Sequence, residues 1–187
     1  MNILDVAQNS VAAGASLVEI TVEERPREDL LRIVIADNGR GMTPDQVRRV
    51  TDPFYTTRTT RKVGLGIPFF KMAAELSGGG LVIESRPGEG TRVEATFGLG
   101  SIDRMPLGNI NETVAALIQG SPQLDFLYTR RLEDREMVLD TREFREVLGE
   151  IPLDAPEVAR FIREYLEEHT AALCAGEEEL PPQPEPM

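Results

Sequence analysis

Two runs of alternating apolar and polar residues, joined by a tight turn, constrain this chain most. In "SLVEITVEER", Val18, Ile20 and Val22 fall on one side, and Glu19, Thr21 and Glu23 on the other. A period of two makes this a strand with one buried and one solvated face. "RPRED" is a turn and "LLRIVIA" a second strand, so the two pair as a hairpin. The hairpin's apolar face must be covered by other elements. Helical spacing supplies them. Leu4, Ala7 and Val11 recur within residues 2–13, closed by Gly14, and "GIPFFKMAAEL" has the same character. "TPDQVRRV" is a short helix with Thr43 as N-cap, Pro44 in the first turn and Gln46 completing a capping box. Later, "LVIES", "RPGEG" and "TRVEATF" read as strand, turn and strand. The order α-β-β-α-loop-α-β-β predicts an α+β fold, a two-layer sandwich of a mixed or mostly antiparallel sheet with helices on one face. Apolar residues make up 41% of the chain, enough for such a core.

Near Gly100 the pattern changes. "NINETVAALIQG" is a short helix capped by Asn109, with Glu112 three residues on, and "LDFLYTRRLEDREMVLDT" is a β-hairpin. Two more helices follow, each opened by Asp-x-x-Glu: Asp140 with Glu143, and Asp154 with Glu157. The expected division is a domain over residues 1–100 and a small α/β extension over 101–175. The extension is a hairpin-plus-helices module for docking a partner or a second copy, as in a homodimer. Residues 176–187, acidic and proline-rich, form a disordered tail. In the extension, Val158, Phe161, Ile162, Tyr165 and Leu166 make a stripe of core or interface.

Several function classes are excluded. A formal charge of -12 speaks against nucleic acid as a partner. One cysteine, Cys174, excludes a disulfide framework, and one histidine, His169, excludes a histidine metal cluster or a Ser-His-Asp triad. No run approaches the ~20 apolar residues of a membrane span. "MNILDVAQNS" has neither the basic start nor the apolar centre of a signal peptide, so a cytoplasmic location is expected.

Three constellations carry chemistry. Asp5 and Asn9 are four apart, on one stripe of the first helix. A solvated polar stripe explains them; so does a magnesium site, with the Asn9 carbonyl as an oxygen ligand and Asp5 orienting water. "DNGRGM" ends a strand, and it is either a plain glycine turn or a base-binding loop. In the second case Asp37 accepts from an exocyclic amine, and Gly39 and Gly41 let the backbone approach a flat ring. "VGLGIPFF" opens a helix, whose N-terminus carries free N–H groups and the positive dipole end. Gly64 and Gly66 free the backbone to wrap a phosphate, and the preceding loop offers Arg58, Arg61 and Lys62 with a set of threonines. This is neither a Rossmann fingerprint nor a P-loop.

Taken in order, "LDVAQNSVAAGA", "DNGRGM", "DPFYTT" and "GLGIPFFKMAAELSGGGLVIESRPGEGTRVEATF" resemble the Asn box, the two glycine boxes and the intervening loop of the GHKL ATPases. This superfamily includes the catalytic domains of histidine kinases, anti-sigma-factor kinases, gyrase, mismatch-repair proteins and the large ATP-dependent heat-shock chaperones. The resemblance covers residues 2–99, is nearest to histidine kinases, and implies a Bergerat-type ATP-binding fold. It implies Asn9 as a magnesium ligand and catalytic residue beside Asp5. Asp37 is implied on the adenine amino group, Gly39 and Gly41 against the base, and Thr91 supporting Asp37 through its hydroxyl. Gly64 and Gly66 are implied on the phosphates, with residues 55–63 as a lid. Met42, Phe54, Thr57, Arg58, Lys62 and Leu65 complete the implied nucleotide site.

The implied activity is Mg-ATP-dependent phosphoryl transfer to a partner protein in two-component-type signalling. A slow ATPase acting as a nucleotide switch is the alternative. Asp5 stands where hydrolysing members carry the longer Glu. His169, in "EEHTAAL", lacks the surroundings of an acceptor box, so the phospho-acceptor is expected on another chain.

Overall fold

β1 (Leu17–Arg25) and β2 (Leu30–Asp37) form the expected hairpin, in register from Val18 opposite Asp37 to Arg25 opposite Leu30. The computed structural model describes residues 3–52 and 65–176. The second hairpin, β3 (Gly80–Arg86) and β4 (Gly90–Gly98), pairs through β4 with β2, which puts Thr91 opposite Asp37. The third, β5 (Asp125–Leu132) and β6 (Arg135–Asp140), joins the other side. There β5 runs parallel to β1, from Leu17 opposite Asp125 to Glu24 opposite Leu132. The result is one six-stranded mixed sheet in the order β3-β4-β2-β1-β5-β6. The last hairpin therefore extends the first sheet.

Helices cover one face. α1 (Ile3–Ala12) lies over β1 and β2, α3 (Gly66–Leu76) over β3 and β4, and α4 (Ile110–Gly120) and α6 (Pro156–Ala175) over β5. α1 is flanked by α3 and α4. Two short helices, α2 (Pro44–Val50) and α5 (Thr141–Leu148), pack against β3 and β5. The core forms between the layers, where Ile20, Ile35, Val93 and Tyr128 line up across neighbouring strands, all nearly inaccessible to solvent. Phe70 of α3 tilts against Phe97 of β4 with ring centroids 5.5 Å apart.

The local signals were accurate where they concerned a single turn. Thr43 and Gln46 form the reciprocal capping box, Asn109 accepts from the Glu112 amide at 3.2 Å, and Asp140 caps α5. Asp154 does not cap α6. The helix starts at Pro156 with Ala155 as N-cap, because proline at the first position sets the entry and needs no amide partner. The buried stripe of α1 is Ile3, Val6, Ala7 and Ser10 rather than one centred on Leu4 and Val11. Those two line a shallow groove between α1 and α4, since α1 is packed from below and from the side.

The face without helices holds charge. Glu23, assigned by its period to the solvated side, is only 3% exposed. Arg25 reaches its carboxylate at 2.7 Å and Arg32 at 3.3 Å. Arg32 also forks onto Glu94, at 2.9 and 3.0 Å. Arg32 draws the Glu94 carboxyl down to about 2, against the opposing effect of burial and with help from Arg92.

Candidate functional site

The carboxyl end of β2 delivers Asp37 to the edge of the helix layer, and α1 passes beside it. Ser10, buried on the core stripe of α1, donates its hydroxyl to Asp37 Oδ2 at 2.6 Å. The Gly39 N–H donates to Oδ1 at 2.9 Å. Each carboxylate oxygen thus has one protein donor and keeps acceptor capacity toward the cleft. A carboxylate so held presents only acceptors, which suits a ligand amine.

The loop after Asp37 is tied on both sides. Asn38 Oδ1 accepts from the amides of Ser16 and Leu17 at 2.9 and 3.0 Å, and its amide donates to Ser16 Oγ at 2.8 Å. The Arg40 N–H bonds Ala13 O at 3.0 Å, and Arg40 O accepts from Gly88 at 2.7 Å. Met42 N–H donates to Ser85 Oγ at 2.8 Å. Gly41 has φ 67°, and a Cβ there would collide with the Arg86 carbonyl of the β3–β4 turn. Only glycine allows this loop to lie so close to that turn.

These elements enclose a cleft of about 450 Å³, within the range of small-molecule sites. Its walls include the apolar Val6, Ile35, Ile67 and Val93. Asn9, Asp37, Arg40 and Thr91 supply the polar groups, with Gly41 and Met42 at the loop. Apolar walls with a few convergent polar groups suit a flat heteroaromatic ring. A more open hollow of about 680 Å³ shares Asp37 and Thr91, and its charged side chains pair with one another, Arg86 with Glu89 and Arg92 with Glu84, both at 3.8 Å.

The cleft therefore gathers Asn9, Asp37, Gly41, Met42 and Thr91 from the expected set. Gly39 stands behind the carboxylate as a donor. Asp5 is half-buried one turn before Asn9, where α1 meets α3. A Cβ on Gly66 would come within 2.9 Å of the Asp5 Cβ, so glycine lets the start of α3 close onto α1 at this point. Leu65 is the N-cap of α3 and is 44% exposed. Leu65 has no side-chain oxygen with which to cap this helix. Phe54, Thr57, Arg58, Lys62, Gly64 and the expected lid at 55–63 lie outside the described residues.

Two hydroxyls differ from expectation. The hydroxyl partner of Asp37 is Ser10, whereas Thr91 Oγ1 lies 2.8 Å from Ser85 Oγ. Ser85 also donates to Gly90 O at 2.9 Å, so its single proton is used there and Thr91 donates to it. Thr91 thus ties β4 to β3, and through Ser85 to the Met42 amide. Ser10 was missed because helical spacing placed the buried stripe of α1 on Leu4 and Val11; on the stripe actually buried, its hydroxyl calls for a polar partner. Arg40, inside "DNGRGM", carried no signal beyond its charge.

Residues 1–101 match the family model for the histidine kinase-, DNA gyrase B-, and HSP90-like ATPases. The chain belongs to this family. Among curated relatives, it is 38% identical over 110 residues to the sensor protein kinase FleS of Pseudomonas aeruginosa, spanning 59% of this chain and 27% of FleS. It is 33% identical over 95 residues to the histidine protein kinase DivJ of Caulobacter vibrioides, spanning 49% of this chain and 16% of DivJ. The chain thus spans less than a third of the length of either. Among solved structures, the topoisomerase IV ATP-binding domain of Francisella tularensis aligns at 17% identity with a TM-score of 0.45, over 73% of this chain and 82% of that one.

Proposed function

We propose that the cleft binds ATP with Mg2+, and that the chain is a histidine kinase-like catalytic module transferring the γ-phosphoryl group to a partner protein in two-component-type signalling, in the cytoplasm. The observation that carries the reading is Asp37. Its carboxylate is held by Ser10 and Gly39 in the cleft and faces it with acceptors only, which fits the adenine amino group. The apolar walls suit the ring. At the other end, the start of α3 suits phosphate, since the N-terminal end of a helix dipole favours an anion. The kinase sense of the reading comes from the sensor kinases to which the chain is similar.

The residues present fit a magnesium nucleotide better than a free metal. Among the described residues no group of three His, Cys, Asp or Glu side chains could hold a metal ion by itself. Mg2+ accepts such a site when phosphate oxygens and water complete its octahedron. Asn9, half-buried in the cleft wall, is the side chain that would hold it. When bound, the ion neutralises phosphate charge. The protein's own share is positioning: Asp37 sets the base, the start of α3 sets the phosphates, and Asp5 orients the attacking group. Positioning and charge neutralisation are most of what phosphoryl transfer requires.

The test is incubation of the chain with γ-labelled ATP and Mg2+, with and without native cell extract, resolving free phosphate from labelled protein. Label on a partner protein, acid-labile on histidine or acid-stable on serine, is expected. Free phosphate alone, abolished by Asp5→Asn, would replace the kinase reading with a slow ATPase that acts as a nucleotide switch.

A further inference from the structure

Beyond the residues that match the family, three aromatic rings meet on the surface of α5 and α6. Phe144 stands edge-on to Phe161 and Tyr165, with centroids 5.9 and 5.6 Å apart, and Phe161 lies 6.5 Å from Tyr165. Phe161 is 52% exposed. Val147, one turn on from Phe144, is 88% exposed, and Ile151 at the end of the same segment is 54% exposed. Phe144 and Tyr165 pack partly against the core, and the Tyr165 hydroxyl donates to Val138 O of β6 at 3.0 Å, so Phe161 is the ring left facing outward. The stripe read from the sequence splits in two: Val158, Ile162 and Leu166 are buried in the core, while Phe161 and Tyr165 lie on a second face. An exposed apolar patch with a polar rim marks a docking surface.

The rim is acidic. Glu143 borders Tyr165, and burial first and this charge second push the Tyr165 hydroxyl up. Glu157 lies one turn before Phe161 on α6, and Glu168 one turn after Tyr165; both are exposed. The neighbouring cations Arg142 and Arg160 sit beside Asp140 and Glu164, at 2.7 and 3.8 Å. A second copy would set these carboxylates against their own equivalents, in a chain of formal charge -12. An anionic lipid surface or a nucleic acid meets the same repulsion.

We propose that this patch docks a basic amphipathic helical segment of a partner protein. Its apolar side chains lie on Phe161, Phe144 and Val147, and its Lys or Arg side chains face Glu143, Glu157 and Glu168. The inference is independent of nucleotide binding in the cleft.

The probe is an 18-residue leucine–lysine amphipathic peptide, with a leucine–glutamate peptide of the same pattern as control. Binding to the full chain is followed by fluorescence anisotropy at low and moderate salt, alongside sedimentation of the chain alone. The lysine peptide is expected to bind, more weakly as salt rises, and the glutamate peptide is not. Val147→Glu and Phe161→Ser are each expected to weaken binding about ten-fold, as loss of an anchor does. The pair Glu157→Lys and Glu168→Lys, on exposed positions, is expected to weaken it similarly. The charge-matched pair Asp45→Lys and Glu89→Lys, by the opposite sheet edge, is expected to leave it unchanged. Equal binding by patch and control variants would overturn the proposal. So would equal binding of the two peptides, or a chain dimer that Val147→Glu dissolves.

Discussion

A single hydroxyl decides how Asp37 is presented. Hydrogen bonds to a charged group contribute about 1.5–3 kcal/mol to stability, so Ser10→Ala is expected to lower the unfolding free energy by roughly that much in denaturant titration and to weaken ATP binding in calorimetric titration, because Asp37 loses its fixed orientation. Asp37→Asn turns one acceptor oxygen into a donor facing Ser10 or Gly39, and is expected to erase any preference for ATP over GTP in competition binding. The backbone has its own sensitive positions. Gly41→Ala adds a Cβ where φ is 67° and the Arg86 carbonyl already stands. It is expected to reduce unfolding free energy by ~2 kcal/mol or more in denaturant titration, whereas Gly120→Ala, whose Cβ meets nothing within 4 Å, changes it by less than ~1 kcal/mol.

Elements depend on their ends and on the charges they exchange. Asn109 receives the Glu112 amide at the start of α4, so Asn109→Ala should cost roughly 1 kcal/mol of stability. Asp154→Ala should cost little, since Ala155 occupies the N-cap of α6. Both are read from chemical denaturation midpoints. On the open face of the sheet, Glu94 is held down to about 2 from an ordinary 4.5, chiefly by Arg32. A carboxyl lowered on folding stabilises the native state above its unfolded value, and that contribution is lost as pH falls from about 4.5 toward about 2. Glu94→Gln is expected to lower stability at neutral pH and to flatten the acid limb across that window, measured by melting against pH.

At the scale of the molecule, the last hairpin is part of the sheet that carries the site. β5 pairs with β1 along eight positions and α4 packs against α1, the helix bearing Asp5, Asn9 and Ser10. Cutting the chain after residue 101 would leave β1 an open edge lined by Val18, Ile20 and Val22, and α1 uncovered on one side. Such edges pair with other chains. The truncated chain is expected to lose cooperative unfolding and to self-associate, which calorimetry and sedimentation would detect, while the full chain does neither.

Much of this was legible in residue order because it is local. Period-two alternation marked the hairpins, one-turn spacing marked the caps at Thr43 and Asn109, and the glycine loops marked where Asn9, Asp37 and Thr91 would gather. What was not legible depends on neighbours distant in sequence. Periodicity names a buried face but not what covers it. Nothing in "SLVEITVEER" says that Arg25 and Arg32 bury Glu23, and nothing in "QNS" names Asp37 as the partner of Ser10. Leu17 and Asp125 likewise meet only because a crossover brings β5 beside β1. The sequence by itself determined most of the elements and the family. Only the tertiary structure decided which hydroxyl steadies Asp37, that the last hairpin completes the first sheet, and which face of α6 is left uncovered, because these follow from packing between segments that share no local pattern.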